Sequence, residues 1–217
     1  MKTAKRIRTR KEKVTIKDDR VLNAFESKGR QHDFVMSEPT EPIDNLPSKY
    51  DCRRKVSSRW GKVFNQGQTG SCVGQAAAKQ RHFHLLKDKK IPNSRERYIP
   101  SVKYLWQAPK EFDVWDVYPS TMLLQSGTYI KSSLDIQRKH GCPPEHILPF
   151  NSIGSLLQDK EFNEIATRYK IKSYHAVSPY GKGFNYKGYK WWLVNHGPII
   201  TPLDRDWETS RRVIIGP

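Results

Sequence analysis

Apolar positions along the chain are spaced for helices first and for strands later. From Cys72 the run Val73-Gly74-Gln75-Ala76-Ala77-Ala78-Lys79-Gln80 continues in strong helix formers to about Lys87. This predicts a helix that opens at the cysteine, with Ser71 at its N-cap. Val102, Leu105 and Trp106 share one helical face within 99–108. A third helix is predicted over 128–140, opening after Gly127 and stopped by Gly141-Cys142-Pro143-Pro144. From about residue 168 the texture changes. Arg168 to Val177 alternates loosely, and Pro198 to Leu203 is short and β-branched, so both predict strands. The aromatic and basic interleaving of 178–189, around Gly181 and Gly183, predicts an exposed hairpin tip. Helices followed by strands predict an α+β protein with segregated lobes.

Upstream the pattern thins. Val21, Leu22 and Phe25 predict one short helical face, and 37–48, broken by three prolines, predicts a linker or a strap along a surface. The organisation expected is a basic arm and linker over 1–45 and one folded domain over 46–217. Its helical lobe spans about 50–150 and its β-lobe about 165–217.

Composition narrows the class. Hydrophobic residues are 36% and aromatic residues 11% of the 217, which excludes a disordered chain. No apolar run approaches the roughly 20 residues of a membrane span. Three cysteines, Cys52, Cys72 and Cys142, are too few and too odd for a disulfide scaffold, and fit a reducing compartment. The net charge is +17, and residues 1–17 carry eight basic side chains against Glu12, a surplus of +7. Such an arm either binds nucleic acid or another polyanion, or is a solvated tail. It has no apolar centre of signal-peptide length, so the expected location is the cytoplasm or a virion rather than the secreted space.

The chemistry centres on one cysteine. Residues 65–71, Asn-Gln-Gly-Gln-Thr-Gly-Ser, form a turn-rich loop that delivers Cys72 to a helix start. Unpaired backbone N–H groups and the helix dipole there favour thiolate over thiol, and the thiolate is the nucleophile. Gln66, six residues earlier, can offer its amide N–H to an oxyanion formed as Cys72 attacks a carbonyl. The plainer alternative is a small buried hydrophobe near a helix end.

The segment Asn65-Gln-Gly-Gln-Thr-Gly-Ser-Cys72 resembles the active-site segment of papain-like cysteine peptidases. Further stretches resemble that family in the same order. They are Asp51-Cys-Arg53 before the loop, Gly127-Thr-Tyr-Ile with Leu148-Pro149-Phe150, and Asn195-His-Gly197-Pro198. The resemblance covers about 46–204. It implies a papain-like two-lobe α+β fold, with Cys72 as nucleophile and Gln66 as oxyanion donor beside the Cys72 backbone N–H. It also implies that Gly70, Ser71, Gly127 and Thr128 line a cleft for a peptide or protein substrate, with no cofactor and no metal.

Departures from the family pattern carry their own expectations. Thr69 and Gln125 stand where a disulfide pair is usual, Val73 replaces an aromatic, and Thr128 replaces a second cleft glycine. The imidazole that would pair with the thiolate, and the Asn that orients it, are due roughly 130–150 residues after the cysteine. Residues 202–217 hold no histidine. His82 and His84 lie ten and twelve residues down the same helix, on the order of 15 Å or more from Cys72. His175 sits in a His-Ala-Val run but precedes Gly197-Pro198, the wrong order for the base; His140 and His146 flank a turn. The resemblance therefore implies a cysteine peptidase acting by acyl transfer through Cys72, inactive in the chain as given unless a continuation beyond Pro217 supplies the base. The alternative is a non-catalytic papain-fold component of a virion or nucleoprotein assembly that binds polyanion. A β-lobe short of its last strands also leaves an edge for the arm or a protein partner to cover.

Overall fold

The fold is that of a computed structural model, which describes residues 24–25, 45–56, 60, 63–88, 98–112, 127–152, 160–177 and 186–201. Expectations for 1–17, for 178–185 and for 202–217 lie outside the described residues. Three helices make the core: α1 (Cys72–Lys87), α2 (Val102–Phe112) and α3 (Ile130–Lys139). Small residues let α1 and α2 cross closely. A Cβ on Gly74 would stand 2.8 Å from the Trp106 Cβ and 2.9 Å from the Val102 carbonyl oxygen. Ala77, Ala78, Val102, Leu105, Ile136 and Leu148 fill the space among the three helices.

Helix α2 is the central element, buried along 102–110, and its ends are held by side chains. At its start the Ser101 hydroxyl accepts from the Tyr104 N–H at 3.1 Å and donates to the Leu148 carbonyl at 2.7 Å. The Glu145 carboxylate accepts from the Val102 N–H at 3.0 Å and from the Phe150 N–H at 2.7 Å, and burial raises its pKa. An anion at this position is favoured by the helix dipole. Farther along, Pro109 lies inside α2 and cannot donate to the Leu105 carbonyl four residues back. The buried Ser133 hydroxyl of α3 donates to that carbonyl instead, at 3.0 Å. Ser133→Ala should therefore cost about 1–3 kcal/mol, the penalty for a buried carbonyl left without a donor. In a Pro109→Ala background the same change should cost less, because the new Ala N–H can serve Leu105. Urea midpoints of the four proteins check this, and equal costs in both backgrounds would count against it.

Beyond the core the structure departs from the strand expectations. Helix α4 (Lys160–Thr167) ends against Gly141 and Cys142, just past α3, and residues 168–177 follow as turn and irregular backbone with a single bridge residue, Ala176. Their polar groups are met by the helices: the Arg81 guanidinium donates to the Tyr169 and Lys170 carbonyls at 3.3 Å, and the Ile171 N–H donates to the Gln137 carbonyl at 3.1 Å. The expected hairpin tip, around Gly181 and Gly183, lies outside the described residues, while its last positions open helix α5, Tyr186–Asn195. The carbonyls at its end are satisfied from outside. Tyr50 and Lys55 both donate to the Val194 carbonyl, at 3.0 and 2.8 Å, and Lys87 donates to those of Asn195 and His196. Donors there, cationic in the two lysines, suit the negative end of the dipole.

Of the expected helical face, Val21 and Leu22 lie outside the described residues, and Phe25 is not helical. Ala24–Phe25 is a strand, β1, paired in parallel with β2 (Thr128–Tyr129). Pairing decides here, because two residues forming a ladder with a buried partner strand gain hydrogen bonds that an isolated helical turn would lack. Residues 198–201, the described part of the second expected strand, carry no assigned strand and, with Gly197, run back along α1. Gly197 (φ +120°) meets the Phe83 ring, and the Gln80 amide donates to the Pro198 carbonyl at 2.9 Å. No helix among the described residues is long and apolar enough to cross a membrane.

Candidate functional site

The loop 65–71 is closed on itself before it reaches the cysteine. The Asn65 side chain accepts from the Gly67 N–H at 2.9 Å, and Gly67 takes φ +56°, a left-handed turn that suits glycine. Gln66 and Thr69 then bond reciprocally. The Gln66 carbonyl accepts from the Thr69 N–H at 3.3 Å and from its hydroxyl at 2.8 Å, and the Gln66 side-chain amide donates to the Thr69 carbonyl at 3.0 Å. The entry to the loop is anchored by Phe64, which packs on the core, and by Trp60. The Trp60 indole donates to the Lys79 carbonyl at 3.0 Å, and Lys79 donates back to the Trp60 carbonyl.

Cys72 is the first residue of α1 and is half-buried. Ser71 occupies the N-cap position, as the pattern predicts, but its side chain makes no cap bond. Its hydroxyl, fully buried, lies 2.7 Å from the Thr69 hydroxyl. The first turn of α1 therefore keeps its N–H groups clear of a side-chain cap. Gln66 and Cys72 thus stand at the two ends of one hydrogen-bonded seven-residue segment.

The other expected site residues are placed as follows. Gly70, Ser71, Gly127 and Thr128 are all buried. Thr128 lies in β2, which packs against α1, α2 and α3, and Ala24 of β1 is its ladder partner. Cys142 is a fully buried core thiol whose pKa burial pushes up, and its Sγ lies 3.4 Å from the Pro143 carbonyl oxygen. Cys52 is half-buried, and burial, helped by Asp51, raises its thiol too.

The histidines gather elsewhere. His82 is buried in α1 and pushed down to about 4 by burial, with the Lys79 charge adding to it. His84 is also lowered to about 4, by burial and then by Lys87. His175 lies 6.4 Å from the Trp192 ring, and its Nε2 is 3.1 Å from the Ser173 hydroxyl. His196, 4.3 Å from Trp192, has its carbonyl held by Lys87. Lys87 is the last residue of α1, fifteen positions from Cys72, or on the order of 22 Å along the axis. The structure groups His175 with His196 about the Trp192 ring.

What sequence reasoning missed is the part played by Thr69 and Ser71. The signal was present in two hydroxyl residues at alternate positions between a glutamine and a cysteine, beside an Asn two residues before a Gly.

No protein-family model matches the chain, and no curated protein matches it in sequence. Solved structures do match its fold. Xylellain, a cysteine protease from Xylella fastidiosa, superposes with a TM-score of 0.62 at 21% identity, over 80% of this chain and 62% of that one. A structure from work on the mite allergens Blo t 1 and Der p 1 gives 0.52 at 19% identity, over 75% and 48%. The chain thus spans less than two thirds of the length of either. These likenesses show the fold, which is papain-like and α+β, with the helical lobe formed by α1 to α3.

Proposed function

We propose that the chain is built for papain-type acyl transfer, with Cys72 as nucleophile and the Gln66 amide and Cys72 N–H as donors to the oxyanion. The observation that carries this reading is the closed 65–71 loop. It holds a carboxamide and a half-exposed thiol in one rigid unit at a helix start free of a side-chain cap. Attack by sulfur on a peptide carbonyl places negative charge on oxygen, where preorganised N–H donors are most effective. Gly70, Ser71, Gly127 and Thr128 are assigned to the walls of the peptide cleft. The substrate class is an extended peptide or protein, and the thioester is released by water once an imidazole serves as acid and base. A thiol-reactive peptidyl probe tests the assignment. Labelling of the wild type should fall by at least about 100-fold in Cys72→Ala, the loss expected when a nucleophile is removed. Wild-type protein that takes no label would end this reading.

The grouping of His175 and His196 on Trp192 favours a second reading. In it the fold serves as a non-catalytic binder of polyanion, within a virion or nucleoprotein assembly, with residues 1–17 making the contact. If five to eight of the eight basic residues in 1–17 reach phosphates, affinity for duplex DNA should fall about 10³–10⁴-fold or more between 50 and 200 mM salt. A filter-binding titration checks the slope. Removal of 1–17 should flatten it, while Cys72→Ala should leave it unchanged. The two readings respond to opposite substitutions.

A further inference from the structure

We infer that residues 168–172, laid across the end of α3, form a surface for the phosphate backbone of a nucleic acid, separate from the basic arm. The inference is independent of the reading of Cys72, and it adds a folded surface to residues 1–17 of the second reading. Its basis is an alternation within irregular backbone. Arg168, Lys170 and Lys172 are exposed, whereas Tyr169 and Ile171 between them are half-buried. The half-buried positions are tied to the helices. The Tyr169 ring stacks on Tyr98 at 4.2 Å, and the Ile171 N–H donates to the Gln137 carbonyl of α3 at 3.1 Å. The Arg81 guanidinium of α1 holds the carbonyls of Tyr169 and Lys170. The three cations therefore stand in solvent on a held segment, roughly 5–7 Å from one Cα to the next in the row.

A fourth exposed cation, Lys139, belongs to the same face. Burial lowers the pKa of His140, and the charges of Lys170 and then Lys139 lower it further, which places both near that ring. Among the described residues, the side chains of Lys139, Arg168, Lys170 and Lys172 form no hydrogen bond or salt bridge. The carboxylates nearby are engaged elsewhere. Asp135 accepts from Tyr174 at 2.7 Å and from Lys131 at 3.0 Å. Glu145 accepts from two backbone N–H groups, Glu164 lies 3.9 Å from Lys160, and Glu161 is at the opposite end of α4. A helix C-terminus carries only about half a negative charge, which Lys139 alone offsets. Three more cations exceed what the fold requires. A nucleic-acid strand offers one charge per roughly 3.4 Å of axis, so each cation of the row can meet a phosphate. A lipid surface is favoured less, because it takes apolar side chains beside the cations. The exposed large hydrophobics among the described residues are Tyr50, Val63 and Tyr186, all outside this segment.

The test is anisotropy of a fluorescent oligothymidylate titrated with the full chain at several salt concentrations. Each phosphate contact on a single strand adds about 0.7 to the slope of log affinity against log salt. The triple variant Arg168→Gln, Lys170→Gln, Lys172→Gln should therefore flatten the slope by about 2 and weaken binding at about 50 mM salt by at least about 10-fold. A control triple, Lys49→Gln, Arg54→Gln, Lys187→Gln, removes the same charge from exposed positions elsewhere, and should weaken binding by less than about 3-fold. Acetic anhydride footprinting of the wild type gives a second readout that needs no variant. Bound oligothymidylate should protect Lys139, Lys170 and Lys172 and leave Lys49 reactive. The same protection should persist in a full-length chain whose eight basic residues in 1–17 are changed to glutamine. Equal losses in the two triples, or no protection of those three lysines, overturn the inference. Protection that disappears with the arm's charge also overturns it, while the second reading stands. Phosphatidylserine vesicles that protect the three lysines better than oligothymidylate at equal charge assign the face to a membrane and overturn it too. A wild-type chain that binds no oligothymidylate overturns this inference and the second reading together.

Discussion

Gly141→Ala should leave the chain largely unfolded at 37 °C, with a loss of at least about 4 kcal/mol, large against the 5–15 kcal/mol of a typical domain. Gly141 follows α3 at φ +90°, with its N–H on the Ile136 carbonyl at 3.0 Å. A side chain there is strained by the backbone alone. Space makes it worse. A Cβ would stand 1.8 Å from the Ala166 carbonyl oxygen and 2.6 Å from its carbon, so the end of α4 would have to move. Moving it removes the acceptor of the Cys142 N–H, now bonded to the Ala166 carbonyl at 3.2 Å, and opens the core around Cys142. Gly67→Ala is the control: its φ is +56°, but nothing lies within 4 Å of the added atom, so about 1 kcal/mol is expected. Circular dichroism and urea titration of the two variants decide the matter. A folded Gly141→Ala with a near wild-type midpoint would show that α4 does not pack as described.

Acid should unfold the protein well before its carboxylates are all protonated. His82 and His84 have folded pKa values near 4 against 6.5 for a free imidazole, in both cases chiefly through burial. His140 and His196 are lowered by burial too. The folded state thus binds fewer protons than the unfolded chain. Stability is complete above about pH 6.5 and is lost as pH falls from there toward 4. At pH 4.5 the loss is on the order of 2–3 kcal/mol for each of His82 and His84. Glu145 works in the opposite sense, because burial raises its pKa and protonation relieves it. It offsets part of the loss only at the acid end of the range. Urea midpoints at pH 7.5 and 4.5 measure the difference, and His82→Gln should shrink it by nearly half. An unchanged midpoint across that range would mean that His82 is not buried as a neutral ring. The ring carries a cost already, since its Nδ1 is buried without a partner.

The helical core was legible because its signals are local. The Ala76–Ala78 run, the Gly141 stop and the face of Val102, Leu105 and Trp106 need no knowledge of the rest of the chain. Helix α5 was not legible. Tyr186-Lys-Gly-Tyr-Lys-Trp-Trp has weak helix propensity, and its terminal carbonyls depend on Tyr50, Lys55 and Lys87, over a hundred residues away for each. Residues 168–177 alternate like a strand, yet an arginine and a helix end satisfy their backbone instead of a neighbouring strand. The turn-rich loop from Gln66 that opens α1 at Cys72 was legible because its signals lie in seven consecutive residues. The bonding of Thr69 to Ser71 was not, because it is decided by which way two hydroxyls turn.

The pairing of β1 with β2 also sets an order of assembly during synthesis. Ala24 and Phe25 leave the ribosome early, but their partners Thr128 and Tyr129 are made 104 positions later. At 5–20 residues per second, the interval is roughly 5–20 s. Within it α1 and α2 are complete and can close on each other, while the first-made strand still has nothing to join. A nascent chain stalled before residue 128 should therefore expose residues 24–25 to protease, and one stalled well past 140 should protect them. Of the two paired strands, the one made earlier waits for the later one to be seated.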